Sequence, residues 1–201
     1  MLKIKWKNST PDMKVNQDQG VTWLSYPGLD RMNWLINGFS TRLGGVSEGI
    51  FSSMNLSFSR GDDPEAVMEN YRRISSVLGF RPEQIVTSDQ THTTNLRVVD
   101  EKNCGSGIIR ERDYTDVDGM LTNVPGVVLA TFYADCVPLY FVDPVHKAIA
   151  LSHSGWRGTV NRMGRVTIER MTAEYGTDPA DLITAIGPSI CQDCYEVSED
   201  V

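Results

Sequence analysis

Residues 134–160 read ADCVPLYFVDPVHKAIALSHSGWRGTV. Two short runs of β-forming residues, PLYFV and KAIALSH, flank the turn-like DPVH, and so short a connection predicts neighbouring antiparallel strands. Cys136 precedes Pro138 at the mouth of the first strand, and His153 closes the second, seventeen residues further on. Folding the turn sets these two ends side by side, so a thiol and an imidazole can converge in a chain with only four cysteines and three histidines.

Outward from this pair the same alternation continues. GVVLATFY and LITAIG are short, rich in β-formers and bounded by Gly or Pro, and they read as further buried strands. Two helices are expected. In DPEAVMENYRRISSVLGF, Asp63 caps, Pro64 takes the first helical position, and Val67, Tyr71, Ile74 and Leu78 recur at helical spacing before Gly79. In GTVNRMGRVTIERMTAEYG, Val160, Met163, Thr167, Met171 and Tyr175 form a weaker stripe that ends at Gly176. The fold class that follows is α/β (α+β), and with no repeat or linker in the sequence the expectation is one domain over residues 1–201.

Composition bounds the partners. A net charge of -7 supplies no basic field for a phosphate backbone, so no nucleic acid partner is expected and a small-molecule ligand is. No run approaches the roughly eighteen apolar residues that span a bilayer, and MLKIKWKNSTPD lacks a signal-peptide core, so the expected setting is cytoplasmic, with no membrane partner. The cysteines are then read as thiols. Nothing in the residues sets the oligomeric state.

His92, in SDQTHTTN, lies at a third strand-to-loop transition, after QIVTS and before LRVV. With Cys136 and His153 it completes a set of three donors suited to a zinc ion with an open fourth position. Zinc bonds of about 2.0 to 2.3 Å then require the three donor atoms to lie within about 4 Å of one another. Taken singly, each residue has an ordinary reading as well: a buried small hydrophobe, a strand-end hydrogen-bonding residue, a loop residue. Asp135 is a candidate proton carrier or orienting acceptor for the ligand set. Two glycine-bearing loops, STRLGGVSEG with Arg42, Gly44 and Gly45, and HSGWRGT with Arg157, are candidate anion pockets, although paired glycines also simply make turns. His146 falls in the DPVH turn, and Cys191 and Cys194 make a CxxC that can be a redox pair or half a zinc knuckle.

The ordered series GFSTRLGGVSEGIFSSMNLSF, DQTH, DVDGMLTN, ADCVPLYFVD, HSGWRGT and AIGPSICQDCYEV resembles the successive motifs of the YfiH-type, or laccase-domain, family. The resemblance runs from about residue 38 to residue 197. It implies a YfiH-like compact sandwich of mixed β-sheets flanked by helices, and a metal on His92, Cys136 and His153. It also implies a purine nucleoside phosphorylase that splits adenosine, inosine or methylthioadenosine with phosphate, together with adenosine deaminase activity. Where that family usually reads CCYEV, this chain has Asp193 before Cys194. Relatives continue well past this motif, so the chain is expected to lack their C-terminal segment. The older label of multicopper polyphenol oxidase conflicts with ligand count, because three histidines with no HxH pair cannot hold a laccase-type copper cluster. A single copper can still compete for the zinc site. Two other readings use the same residues: a metal-free hydrolase or amidase, including editing of cell-wall precursors, with Cys136 as nucleophile and His153 as base, and a non-catalytic binding fragment.

Overall fold

The structure, a computed structural model, describes residues 12–199. The chain divides after Pro82 into two compact units.

In the first unit, strands β1 (Lys14–Asp18) and β2 (Val21–Ser25) form an antiparallel hairpin whose turn residues, Gln19 and Gly20, both have positive φ. This is the turn geometry that matches the twist of paired strands. Helix α1 (Pro27–Asp30) follows, and β3 (Phe39–Ser40) adds to the free side of β2. Helix α2 (Pro64–Leu78) has the bounds its sequence predicts. The Asp63 side chain accepts from the Glu65 N–H, Pro64 opens the helix, and Gly79 ends it at φ 84. Its face of Val67, Tyr71 and Ile74 is buried, and Ile74 packs with Val21 and Met54 as the core of this unit.

The second unit is built on a mixed sheet. Its elements in chain order are β4 (Ile85–Thr87), β5 (Leu96–Val98), β6 (Gly119–Thr122), β7 (Val128–Ala130), β8 (Val137–Asp143), β9 (Ala148–Ser154), α3 (Trp156–Val160), α4 (Met163–Tyr175) and β10 (Ile183–Ile186). Five strands run in the order β10-β8-β9-β6-β5, all antiparallel neighbours except β5 and β6, while β4 and β7 form a separate parallel pair. Successive residues of β6 face opposite sides. Leu121 packs with Phe141, Ala148, Ala150 and Met171 of α4, whereas Met120 packs with Val86, Val99, Tyr114, Val117 and Val127. The sheet is thus covered by α4 on one face and by the β4–β7 layer on the other.

The expected β8–β9 pairing is present, with Asp143 opposite Ala148 and Pro138 opposite His153. Asp143 holds the turn: its carboxylate accepts from the N–H of Val145 at 2.8 Å and of His146 at 3.0 Å, and lies 2.8 Å from His146 Nδ1. Burial by itself raises the pKa of this side chain, but hydrogen bonds, those of the turn among them, outweigh it and bring it to about 2.

Three expectations change. The second helix is not continuous from the HSGWRG segment, because Arg162 takes a left-handed conformation (φ 59) that separates α3 from α4, and Val160 is left exposed. In GVVLATFY only Val128–Ala130 is strand, since the Phe132 N–H turns to the Gln90 side chain at 2.7 Å instead of a ladder partner. LITAIG forms β10, but as an edge strand with Ile183 and Ile186 exposed.

A methyl group at Gly45 would lie 2.0 Å from the Ser53 carbonyl oxygen, a backbone atom that cannot swing aside. Gly45→Ala should therefore lower the urea midpoint by more than Asp63→Ala, whose lost helix cap costs about 1 kcal/mol; equal losses would contradict the packing. The Asp143 pKa lies below its unfolded value of roughly 3.9, so its stabilisation is complete above about pH 4 and drains away as pH falls toward about 2. Urea midpoints measured at about pH 5 and about pH 3 should differ less in Asp143→Asn than in the parent.

Candidate metal centre

The ends of β6, β8 and β9 bring the site together. Cys136 immediately precedes β8, whose first residue Val137 pairs with Ser154, so the thiol lies beside the end of β9 where His153 stands opposite Pro138. Asp118 immediately precedes β6, and Gly119 pairs with Ser152. His92 comes from the loop between β4 and β5. The donor atoms of His92, Cys136 and His153 all lie within 4.8 Å of one another. That limit is wider than the separation of about 4 Å expected for a closed zinc shell, so ligation would draw the set in slightly.

A carboxylate that the sequence reading left aside organises two of the three. Asp118 is sealed from solvent, and its Oδ1 lies 2.7 Å from His153 Nδ1. The same oxygen accepts the His92 N–H at 3.0 Å, and Oδ2 accepts the N–H groups of Thr91 and Thr93, each at 2.9 Å. Burial works to raise the Asp118 pKa, but the hydrogen bond with His153 and those from the Thr93, Thr91 and His92 backbone together hold it well below the usual carboxylate range. The ionised acid accepts a hydrogen bond from His153 Nδ1–H, which leaves Nε2 with its lone pair available to a metal. The three N–H bonds also explain how His92 is kept at φ 68, a left-handed conformation that costs a non-glycine residue energy. Asp116 steadies the same loop from outside through the side chains of Thr91, Thr93 and Asn95.

Space is controlled as closely as orientation. A Cβ on Gly155 would stand 3.0 Å from Cys136 Sγ and 3.0 Å from His92 Cδ2. The glycine lets the β9–α3 connection pass against both ligand side chains. The rings of His92 and His153 meet edge to face with centroids 4.9 Å apart, and Tyr133 lies against His153 at 5.7 Å. One soft thiol and two borderline imidazoles, two of the three held by a common carboxylate, make a donor set that could hold a transition-metal ion. Burial first, and then the charges of Asp135 and Asp118, push the Cys136 thiol pKa up.

The other candidates are placed differently. Asp135 is exposed, and its carbonyl accepts the Ile190 N–H at 3.0 Å; the orienting acceptor is Asp118, not Asp135. Arg157 is exposed and stacks over the Trp156 ring at 5.0 Å. Arg42 belongs to the first unit, where its Nε donates to the Ser52 carbonyl at 2.9 Å. Gly44 and Gly45 lie in the same unit, closely packed against Gly20 and Ser53, and the Gly45 N–H donates to Ser53 Oγ at 3.1 Å. The signal that marks Asp118 in the sequence is an acid directly before a strand-opening glycine in DVDG.

Asp118→Asn puts an amide N–H₂ among groups that donate. It should weaken zinc affinity about 10- to 100-fold, as loss of a ligand-orienting partner does, when measured against a competing chelator. Gly155→Ala should also weaken zinc binding while circular dichroism remains that of the parent. Unchanged affinity in both variants would remove the case for this centre.

Residues 36–201 match the family described as multi-copper polyphenol oxidoreductase laccase. The chain is 37% identical to a protein of Bacillus subtilis named purine nucleoside phosphorylase YlmD, over 83% of this chain and 60% of that protein. It is 36% identical to a protein from an unknown prokaryotic organism named as an adenosine deaminase, over 83% of this chain and 64% of the relative. The crystal structure of YlmD from Geobacillus stearothermophilus superposes with a TM-score of 0.84 at 34% identity, covering 94% of this chain and 70% of that one. The chain therefore spans about three fifths of the length of the curated relatives it matches. A match of this extent, carried by the same mixed α/β fold, means that the chain belongs to the multi-copper polyphenol oxidoreductase laccase family.

Proposed function

We propose that this chain carries the metal centre of a purine nucleoside phosphorylase, with adenosine deamination as a companion activity, and that His92, Cys136 and His153 hold zinc there. The observation that carries this reading is the convergence of three donor atoms within 4.8 Å around a buried, ionised Asp118. The names of the relatives supply the substrate class. Zinc on these donors would supply Lewis-acid help to a departing purine and would activate water for deamination.

The remaining work falls to the protein's own groups. Asp118 keeps His153 in the tautomer that presents Nε2, and keeps the His92 loop in place. Asp135, exposed and next in sequence to Cys136, would carry a proton between substrate and solvent. Arg157 offers a guanidinium to phosphate from the segment that directly follows His153. The metal-free alternative uses Cys136 as a nucleophile with His153 as its base. A nucleophile and a zinc ligand both act as thiolate, so metal content separates the two readings, with stoichiometric zinc and no alkylation of Cys136 by iodoacetamide expected for the zinc enzyme. A copper ion can compete for the same donors, so copper in a preparation would not by itself indicate an oxidase.

Purified protein supplied with adenosine and phosphate should release adenine by phosphorolysis and inosine by deamination, with hypoxanthine following from inosine, and should contain close to one zinc per chain. Cys136→Ala should abolish both reactions and retain the fold. In Arg157→Ala the phosphate concentration for half-maximal phosphorolysis should rise, while deamination, which uses water, falls less. Equal losses in both reactions would reduce Arg157 to a partner of Trp156.

A further inference from the structure

The segment after β10 runs beside the loop that carries Cys136. The Gly187 N–H donates to the Pro138 carbonyl at 2.9 Å, and the Ile190 N–H donates to that of Asp135 at 3.0 Å. The next residue is Cys191, which opens a short helical turn over Gln192–Cys194 closed by a hydrogen bond from the Cys194 N–H to the Cys191 carbonyl at 3.0 Å. Both cysteines are exposed. Neither belongs to the group formed by His92, Cys136 and His153.

From this geometry we infer that Cys191 and Cys194 form a redox-active dithiol, a modification site that closes to an intramolecular disulfide by exchange with a small-molecule disulfide. A turn closed by this hydrogen bond holds its end Cα atoms within about 7 Å, and disulfides bridge Cα separations of about 4.4 to 6.8 Å, so the bond can form with little movement of the backbone. The sulfurs already face each other: a hydrogen bond with Cys191, followed by the mutual charge of the pair, holds the Cys194 thiol above its ordinary pKa. The other two cysteines have different surroundings. Cys104 Sγ is half-buried and donates to the Gln84 carbonyl at 3.6 Å, and Cys136 stands between two histidines.

The chemistry balances with the small disulfide as the sole oxidant. One cysteine loses its proton to water or buffer, and its thiolate attacks the small disulfide, forming a mixed disulfide and releasing one small thiolate. The second cysteine, deprotonated in turn, attacks the protein-bound sulfur, forms the Cys191–Cys194 bond and releases the second small thiolate. The two released thiolates take up the two protons. The protein dithiol is oxidised by two electrons, and the small disulfide is reduced to two thiols. Asp193, Glu196 and Glu199 lie close to the pair in sequence and make the segment acidic, so a neutral disulfide is the suitable oxidant.

The test exposes the full chain to bis(2-hydroxyethyl) disulfide, quenches with acid, alkylates remaining thiols and maps the peptides. The expected product carries Cys191 and Cys194 joined in one peptide about 2 Da lighter than the dithiol form, restored by dithiothreitol, with Cys104 and Cys136 alkylated as before. Cys191→Ser should stop at a mixed disulfide on Cys194. Three results would overturn the inference: both cysteines alkylated after exposure, both retaining a mercaptoethanol adduct, or a bridge from either one to Cys136.

Discussion

The candidate centre rests on one buried carboxylate. Asp118 accepts hydrogen bonds from His153 Nδ1–H and from the backbone N–H groups of Thr91, His92 and Thr93, with no solvent at its side chain. An anion in that position is stable only because four N–H donors face it. Those donors are stable there because the anion is present, since a buried N–H left without an acceptor costs about 1 to 3 kcal/mol. The arrangement joins the loop between β4 and β5 to the end of β9, and so fixes two ligands of a candidate metal with a single side chain.

The third ligand is placed by strand pairing. Cys136 stands one residue before β8, and the β8–β9 register determines that its neighbours are Ser154 and Gly155. Any larger residue at 155 would push against the thiol and the His92 ring together. Orientation therefore comes from hydrogen bonds, and proximity comes from register and from the absence of a side chain. Such a site is preorganised, in the sense that its ligands need only small shifts to close on an ion. It offers one thiol and two imidazoles, a set for a single ion and far short of the imidazole-rich array that several coppers would need.

Much of this was legible before any coordinates. Asp63, Pro64 and Gly79 mark both ends of α2 because capping is a local interaction, complete within a few residues. The β8–β9 hairpin was legible for the same reason, since four turn residues leave two strands little choice but to pair. The strand β6 was not. Its GMLT segment is short, buried throughout and without alternation, so it carries no periodic signal, yet it is central to the sheet and sets Asp118 in place. The break at Arg162 was equally silent, because arginine has no intrinsic preference that announces a left-handed residue.

His92, Cys136 and His153 could be named as candidate ligands from residue type, from their places at strand ends and from a family resemblance, and the family itself could be read from the ordered motifs. Which carboxylate serves them could not. Asp135 adjoins Cys136 in the chain and was the natural candidate for orienting the ligands, whereas Asp118 lies thirty-five residues from the histidine it binds. Sequence determines contacts that close within one turn or one hairpin, where chain connectivity leaves few alternatives. Contacts between distant segments depend on which strands become neighbours in the sheet, and that is decided only when the layers pack around β6 and exclude water from the carboxylate beneath them.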